Sequence, residues 1–141
     1  MSAMGEQVQV LEFRLGTERY CIDIDHIEEV VEKDEDDLTP MPNAPPHVSG
    51  VTDLRGQTTT IIDPKGLLGL EPGGHGSQVI VFDGESAGFD GVVGWAVDEV
   101  FQVSTIATAD VEDAAHDDTV EGVVNREDGF LILTSPLVAA G

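Results

Sequence analysis

Positive charge is scarce in this chain. Six of its 141 residues are basic (Arg14, Arg19, Lys33, Arg55, Lys65 and Arg126) against 28 acids, and the net charge is −22. Nucleic acid is thereby excluded as a partner, because phosphate binding needs clustered lysine and arginine. Anionic lipid surfaces are disfavoured on the same ground. A single cysteine, Cys21, rules out an internal disulfide. The four histidines, His26, His47, His75 and His116, lie far apart without paired ligand spacing. Every long apolar run is interrupted by Asp, Glu or Gly before it reaches the roughly 18 residues of a membrane helix, so direct membrane insertion is not expected. The start, MSAMGEQ, lacks a basic n-region and an apolar h-region, which predicts a cytoplasmic protein.

What is present points to a folded protein. Hydrophobic residues make up 40% of the chain, and the acids run from Glu6 to Asp128 between strand-like segments instead of forming a tail. A single domain of this length buries roughly two thirds of its unfolded surface, so no metal or disulfide staple is required. The reading is one domain over 1–141, made of two subdomains that intertwine.

The pattern along the chain is β-rich. In VQVLEFRLGTERYCIDI, Leu11, Phe13 and Leu15 alternate with Glu12 and Arg14; Gly16 and Thr17 supply a turn, and Tyr20, Ile22 and Ile24 alternate with Cys21 and Asp23. Two half-buried strands are predicted. DHIEEVVEKDEDD fits a helix capped by Asp25, with Ile27, Val30 and Val31 at helical spacing, and equally a turn followed by a strand. LTPMPNAPPHVSG, with Pro40, Pro42, Pro45 and Pro46, reads as a surface connection. VTDL and TTTIID flank Arg55 and Gly56 as a second hairpin, ended by Pro64, and a short helix is expected near Gly66 to Leu70. EPGGHGS, near 71–77, is a loop separating two sets of strands. QVIVFD, VVGWAVDEV, QVSTIAT, VEGVVN and GFLILT follow, with GESAGFDG as a connecting loop, and a terminal helix is expected over Ser135 to Ala140.

No catalytic constellation appears. Cys21 with His26 or His47 as base lacks a local signature and reads better as a structural thiol. Asp23, Asp25, His26, Glu28, Glu29 and Glu32 could hold a hard cation, but no glycine sits where a calcium loop demands one, and such clusters arise in an acidic chain by composition alone. Gly73, Gly74 and Gly76 precede a strand instead of opening a helix, which removes the phosphate-loop reading. A non-catalytic binding module without metal or cofactor is left. A metal-dependent acidic regulator and a general acidic scaffold are the alternatives.

In this order, LEFRLGTERYCIDI, IEEVVE, LTPMPNAPPHVSGV, DLRG, IID, VVGWAVDEVFQV and GVVNREDGFLILT resemble the CheW-like chemotaxis coupling proteins over essentially the whole chain. Cys21 stands where that family often has Gly, Asp53 where Asn is usual, and Pro64 directly follows Ile-Asp. The resemblance implies an all-β fold of two packed five-stranded barrels of the Src homology 3 type with short helices. It also implies an adaptor joining chemoreceptor cytoplasmic hairpin tips to the regulatory domain of the histidine kinase CheA, at membrane-associated arrays. Receptor contact is expected at Ile27, Val30, Val31, Val48, Glu29 and Arg55, and kinase contact at Asp53, Leu54, Gly56, Gln57 and Thr58. By the same resemblance Glu29 pairs with Arg55. The length leaves room only for the coupling domain, not for a kinase or a fused phosphoacceptor domain.

So few lysines and aromatics with so many acids give a composition of the halophilic, archaeal type. Carboxylate self-repulsion weakens a compact state in dilute buffer, and at about 1 M salt the screening length falls to about 3 Å. The fold is therefore predicted to loosen when salt is removed; circular dichroism and a thermal midpoint unchanged between low and molar salt would refute this.

Overall fold

Strand after strand follows the alternation seen in the sequence. The computed structural model describes residues 6–33, 37–44, 47–70, 78–83, 92–112, 120–127 and 129–135. Within them lie β1 (Gln7–Leu15), β2 (Glu18–Asp23), β3 (Ile27–Glu32), β4 (Val48–Leu54), β5 (Gln57–Ile62), α1 (Pro64–Leu67), β6 (Gln78–Phe82), β7 (Val92–Val97), β8 (Glu99–Ala107), β9 (Val111–Glu112), β10 (Val120–Arg126) and β11 (Gly129–Thr134). EPGGHGS, GESAGFDG, His75, His116, Pro45, Pro46 and the expected terminal helix beyond Ser135 fall outside the described residues.

The strands form a six-stranded sheet, β8-β1-β2-β11-β10-β9, and a five-stranded sheet, β3-β6-β7-β5-β4. The fold is all-β with two packed sheets, as expected of the Src homology 3-like fold; the sheets have six and five strands and do not close into barrels. They also interleave along the chain. β6 and β7 follow residues 71–77 yet join the sheet of β3, β4 and β5, while β8 returns to pair with β1. Residues 71–77 therefore do not separate the strands of one sheet from those of the other.

Local chemistry explains two departures from the predicted elements. Ile24–His26 form a single 3-10 turn whose cap is Asp23, not Asp25: its Oδ1 accepts the Asp25 N–H at 2.9 Å. The chain then runs straight into β3, where Val30 pairs with Ile80 and Val31 with Val79. Pairing along β6 decides for strand over the helix that the Ile27, Val30, Val31 spacing also allowed. Pro64 opens α1 two residues earlier than predicted, where its missing N–H costs nothing and the Asp63 Oδ1 accepts the Lys65 N–H at 3.0 Å.

Three apolar layers hold the sheets. Leu11, Phe13, Leu15, Tyr20 and Ile22 from the first sheet meet Ile62, Ile80, Phe82, Val93, Trp95 and Val97 from the second. Trp95 stands edge-on to Phe82 (5.1 Å, 88°) and Phe13 (6.3 Å, 68°) at the centre of this layer. On the far side of the first sheet lie Val10, Cys21, Ile106, Val124 and Leu131; on the far side of the second lie Ile61, Val79, Val81 and Ala96. Both faces of the central strands are thus covered.

This double covering overturns the half-buried reading of β1 and β2. Glu12, which alternation placed outward, is fully buried, and so is Cys21. Glu12 survives there because Ser104 Oγ donates to its Oε2 at 2.5 Å, Arg126 Nη1 to the same oxygen at 2.9 Å and Arg19 Nη1 to Oε1 at 3.3 Å. Burial raises the pKa of its carboxyl, but the hydrogen bonds from Ser104, Arg126 and Arg19 and the Arg126 charge outweigh it, and the group is held below its ordinary value. A second carboxylate, its side chain 7% exposed, joins the sheets. Asp98, at the bend between β7 and β8, accepts the Gly16 N–H from the β1–β2 turn at 2.6 Å and pairs with Lys65 of α1 at 3.1 Å.

Candidate functional site

The β4–β5 hairpin answers why an arginine sits between two apolar strands. Leu54 pairs with Gln57, so the loop is only Arg55 and Gly56, with φ of 54° and 81°. Two left-handed residues in a two-residue loop make a type I′ turn, whose twist matches the flanking strands. Gly56 suits its place because a left-handed backbone carries no penalty without a Cβ. Arg55 has a Cβ there, at a cost of roughly 1–2 kcal/mol relative to an ordinary conformation. An arginine kept in such a position directs attention to what its side chain does.

Arg55 Nη2 lies 2.9 Å from Glu29 Oε1, so the expected pair is present. Its geometry says more than its energy. Glu29 belongs to β3 and Arg55 to the tip of β4, the two opposite edges of the five-stranded sheet. In a flat sheet those edges would stand about 19 Å apart, four spacings of about 4.8 Å. The sheet curls enough for this one ion pair to reach across its open side. The Arg55 side chain is 79% exposed and that of Glu29 22%, so this is a solvent-facing clasp worth about 0–1 kcal/mol, not a shielded pair.

Beneath the clasp is a hollow of about 220 Å³ lined by Glu28, Glu29, Leu54, Arg55, Gln57, Thr59, Val81 and Val92. It brings Glu29 and Arg55, expected on the receptor side, together with Leu54 and Gln57, expected on the kinase side. Asp53, Gly56 and Thr58 are exposed around the same hairpin. The apolar residues of the receptor set do not share one surface. Ile27 and Val48 are half-buried against the central layer, Val31 packs on the outer layer of its own sheet, and Val30 is 39% exposed.

The other chemistry candidates disperse. Among the described residues no group of three or more His, Cys, Asp or Glu is placed to hold a metal ion. Cys21 is buried with its thiol pushed up to about 12, first by burial and then by the nearby Glu12 charge, so it is a packed side chain and not a thiolate nucleophile. Two features escaped sequence reasoning: the Glu12 cluster and the Asp98 link. Glu12 left one visible signal, an acid on a strand whose neighbours are apolar; Asp98, at a bend beside Glu99, left none.

The geometry defines a two-sheet β module whose distinctive surface is a charged hairpin tip. Its residues 9–137 match the sequence profile of the CheW-like domain. The chain is 29% identical over 147 residues to the chemotaxis protein CheW of Treponema pallidum (strain Nichols), covering 94% of this chain and 82% of that protein. It is 29% identical over 104 residues to the chemotaxis protein CheW of Rhizobium meliloti (strain 1021), covering 74% of this chain and 64% of the relative. The crystal structure of the scaffolding protein TtCheW from Thermoanaerobacter tengcongensis superposes with a TM-score of 0.76 at 26% identity, over 92% of this chain and 90% of that one. The chain belongs to the CheW-like family, whose members are non-catalytic scaffold and adaptor proteins.

The strained turn makes a prediction. Arg55→Asn, which tolerates the left-handed backbone, is expected to leave the urea midpoint equal to or above that of the unaltered chain. Arg55→Val, β-branched at the same φ, is expected to lower stability by roughly 1–2 kcal/mol. The reverse order would contradict the turn assignment.

Proposed function

We propose that this chain is a single domain of two intertwined halves that couples the cytoplasmic hairpin tips of chemoreceptors to the histidine kinase CheA and modulates the kinase. One observation carries the reading. The Glu29–Arg55 clasp sits over a hollow that draws residues from both expected contact sets to one end of the second sheet. An adaptor changes its partner's activity only if its binding differs between that partner's states. A surface where two contacts adjoin provides for this, since occupancy on one side of the hairpin biases the other.

Within this reading the receptor tip meets Val30 together with Glu29 and Arg55, while Ile27, Val31 and Val48 hold the strands that present them. The kinase regulatory domain meets Asp53, Leu54, Gly56, Gln57 and Thr58 on the hairpin flank. Work is done at membrane-associated receptor arrays on the cytoplasmic side, without insertion; no described helix is long and apolar enough to cross a membrane. The acid excess suits a cytoplasm rich in salt.

A double-mutant cycle tests the clasp as a working part. Glu29→Ala, Arg55→Ala and the double variant are measured for binding to a receptor cytoplasmic fragment and to the CheA regulatory domain. Each single change is expected to weaken binding on the order of tenfold, the double to add little more, and all thermal midpoints to stay close to that of the parent, as suits an exposed pair. Additive losses, or unaltered binding throughout, would remove the proposal.

A further inference from the structure

A buried carboxylate held by cations is seldom more stabilising than apolar side chains of the same volume. Packing alone therefore does not account for Glu12, which is fully buried on β1 directly opposite Cys21 of the first sheet's outer layer. What Glu12 does is hold two guanidinium groups. Its Oε1 takes Arg19 of β2 at 3.3 Å and its Oε2 takes Arg126 of β10 at 2.9 Å, while Arg126 Nη2 also donates to Ser104 Oγ at 3.1 Å. The Arg19 guanidinium lies over the Phe101 ring, 4.1 Å from its centroid.

Both arginines reach the surface, their side chains 42% and 29% exposed. Outside them is a hollow of about 230 Å³ lined by Thr17, Glu18, Arg19, Arg126, Phe130 and Leu131. Phe130 is 59% exposed, although it is large and apolar. Two of the chain's four arginines and two of its five phenylalanines thus meet at one end of the first sheet, and these residue types are enriched where proteins bind one another. A guanidinium carries five N–H donors. Among the described residues Arg19 uses one and Arg126 two, so most of these donors remain for a group entering the hollow. Arg14 stands directly opposite Arg19 across the β1–β2 pair, a like-charge juxtaposition that is unfavourable by itself. Asp98 and Glu99 answer Arg14, whereas Arg19 and Arg126 share the one carboxylate of Glu12.

We propose that this hollow is a docking site for an acidic segment of a protein partner, with one aspartate or glutamate side chain entering between Arg19 and Arg126 and an adjoining apolar residue packing on Phe130. Charge complementarity selects the occupant, since two guanidinium groups share a single buried carboxylate and an incoming one supplies the second. Size selects a side chain carried on a protein over a free small molecule, whose sites run to roughly 300–1,000 Å³. Glu12 fixes both guanidinium groups before binding, so less side-chain freedom is lost when the acid arrives. Glu18 on the rim opposes that acid and holds the affinity down. The site belongs to the first sheet and the Glu29–Arg55 tip to the second, so this contact is additional to the coupling surface.

Nuclear magnetic resonance of the full chain tests the proposal, at the lowest salt that keeps its circular dichroism native. The probe is an acetylated, amidated Leu-Asp-Leu-Asp-Leu peptide, set beside its asparagine counterpart. The acidic peptide is expected to shift the Arg19 and Arg126 Nε–H and the Phe130 ring signals saturably, less strongly as salt rises, and the asparagine peptide to leave them in place. Arg19→Gln should weaken binding on the order of tenfold and Phe130→Ala severalfold, whereas Glu18→Gln should tighten it severalfold. The last two lie at exposed positions and keep the test open if Arg19→Gln fails to fold. Lys33→Gln, which removes a cation elsewhere, should change nothing. No saturable shift at these residues, an equal response to the asparagine peptide, an affinity indifferent to Phe130→Ala and Glu18→Gln, or a loss in Lys33→Gln as large as in Arg19→Gln would overturn the assignment.

Discussion

Six cations among 28 acids is the constraint on which the rest of this structure depends, because a buried carboxylate must be answered and there are few groups to answer it. Glu12 is fully buried and takes Arg19 and Arg126; the side chain of the half-buried Asp98, 7% exposed, takes Lys65, with Arg14 close by at 3.9 Å. Four of the six are thereby committed to tying strands together. Arg126 reaches from β10 to Glu12 on β1 and Ser104 on β8, drawing the first sheet around its own apolar layer. Lys65 and the Gly16 amide meet on Asp98 and fasten α1, which follows β5 of the second sheet, to the first hairpin of the other. Arg55 is a different case: its charge faces solvent and clasps an edge instead of an interior acid.

That division connects the packing to the function. The central layer around Trp95 packs the two sheets against each other, and the outer layers let each sheet curl without exposing its second face. Curling brings β3 and the β4–β5 tip within reach of each other, which no strand pairing does by itself. A surface made from two sheet edges can respond to a partner more readily than a single packed strand, since the clasp contributes little to stability and its loss does not open the core. Weak energy and precise position suit the coupling contact proposed for this pair.

Much of this was legible beforehand, and the failures have physical reasons. The hairpins at Gly16 and at Arg55-Gly56 followed from alternation and turn chemistry, because register and turn type are local properties. Glu12 was misplaced since alternation assumes one wet face, and here both faces are covered. β3 stayed undecided until its pairing with β6 was known, because Ile27, Val30 and Val31 satisfy two periodicities at once. The Glu29–Arg55 pair came from family resemblance and not from the residues themselves: the contact spans the width of a sheet, and nothing within either segment encodes its curvature. Intertwined halves were expected, but that β6 and β7 are the strands that cross was not legible, as it is decided by long-range pairing.

The claim that this chain is a coupling adaptor is tested most directly by reconstitution in high salt. The purified protein is added to the histidine kinase CheA and a receptor cytoplasmic fragment, and co-sedimentation is read beside kinase autophosphorylation. The account predicts that the chain enters the pellet with both partners and that autophosphorylation changes only when all three are present. A chain that stays in the supernatant while autophosphorylation is unaltered would contradict it.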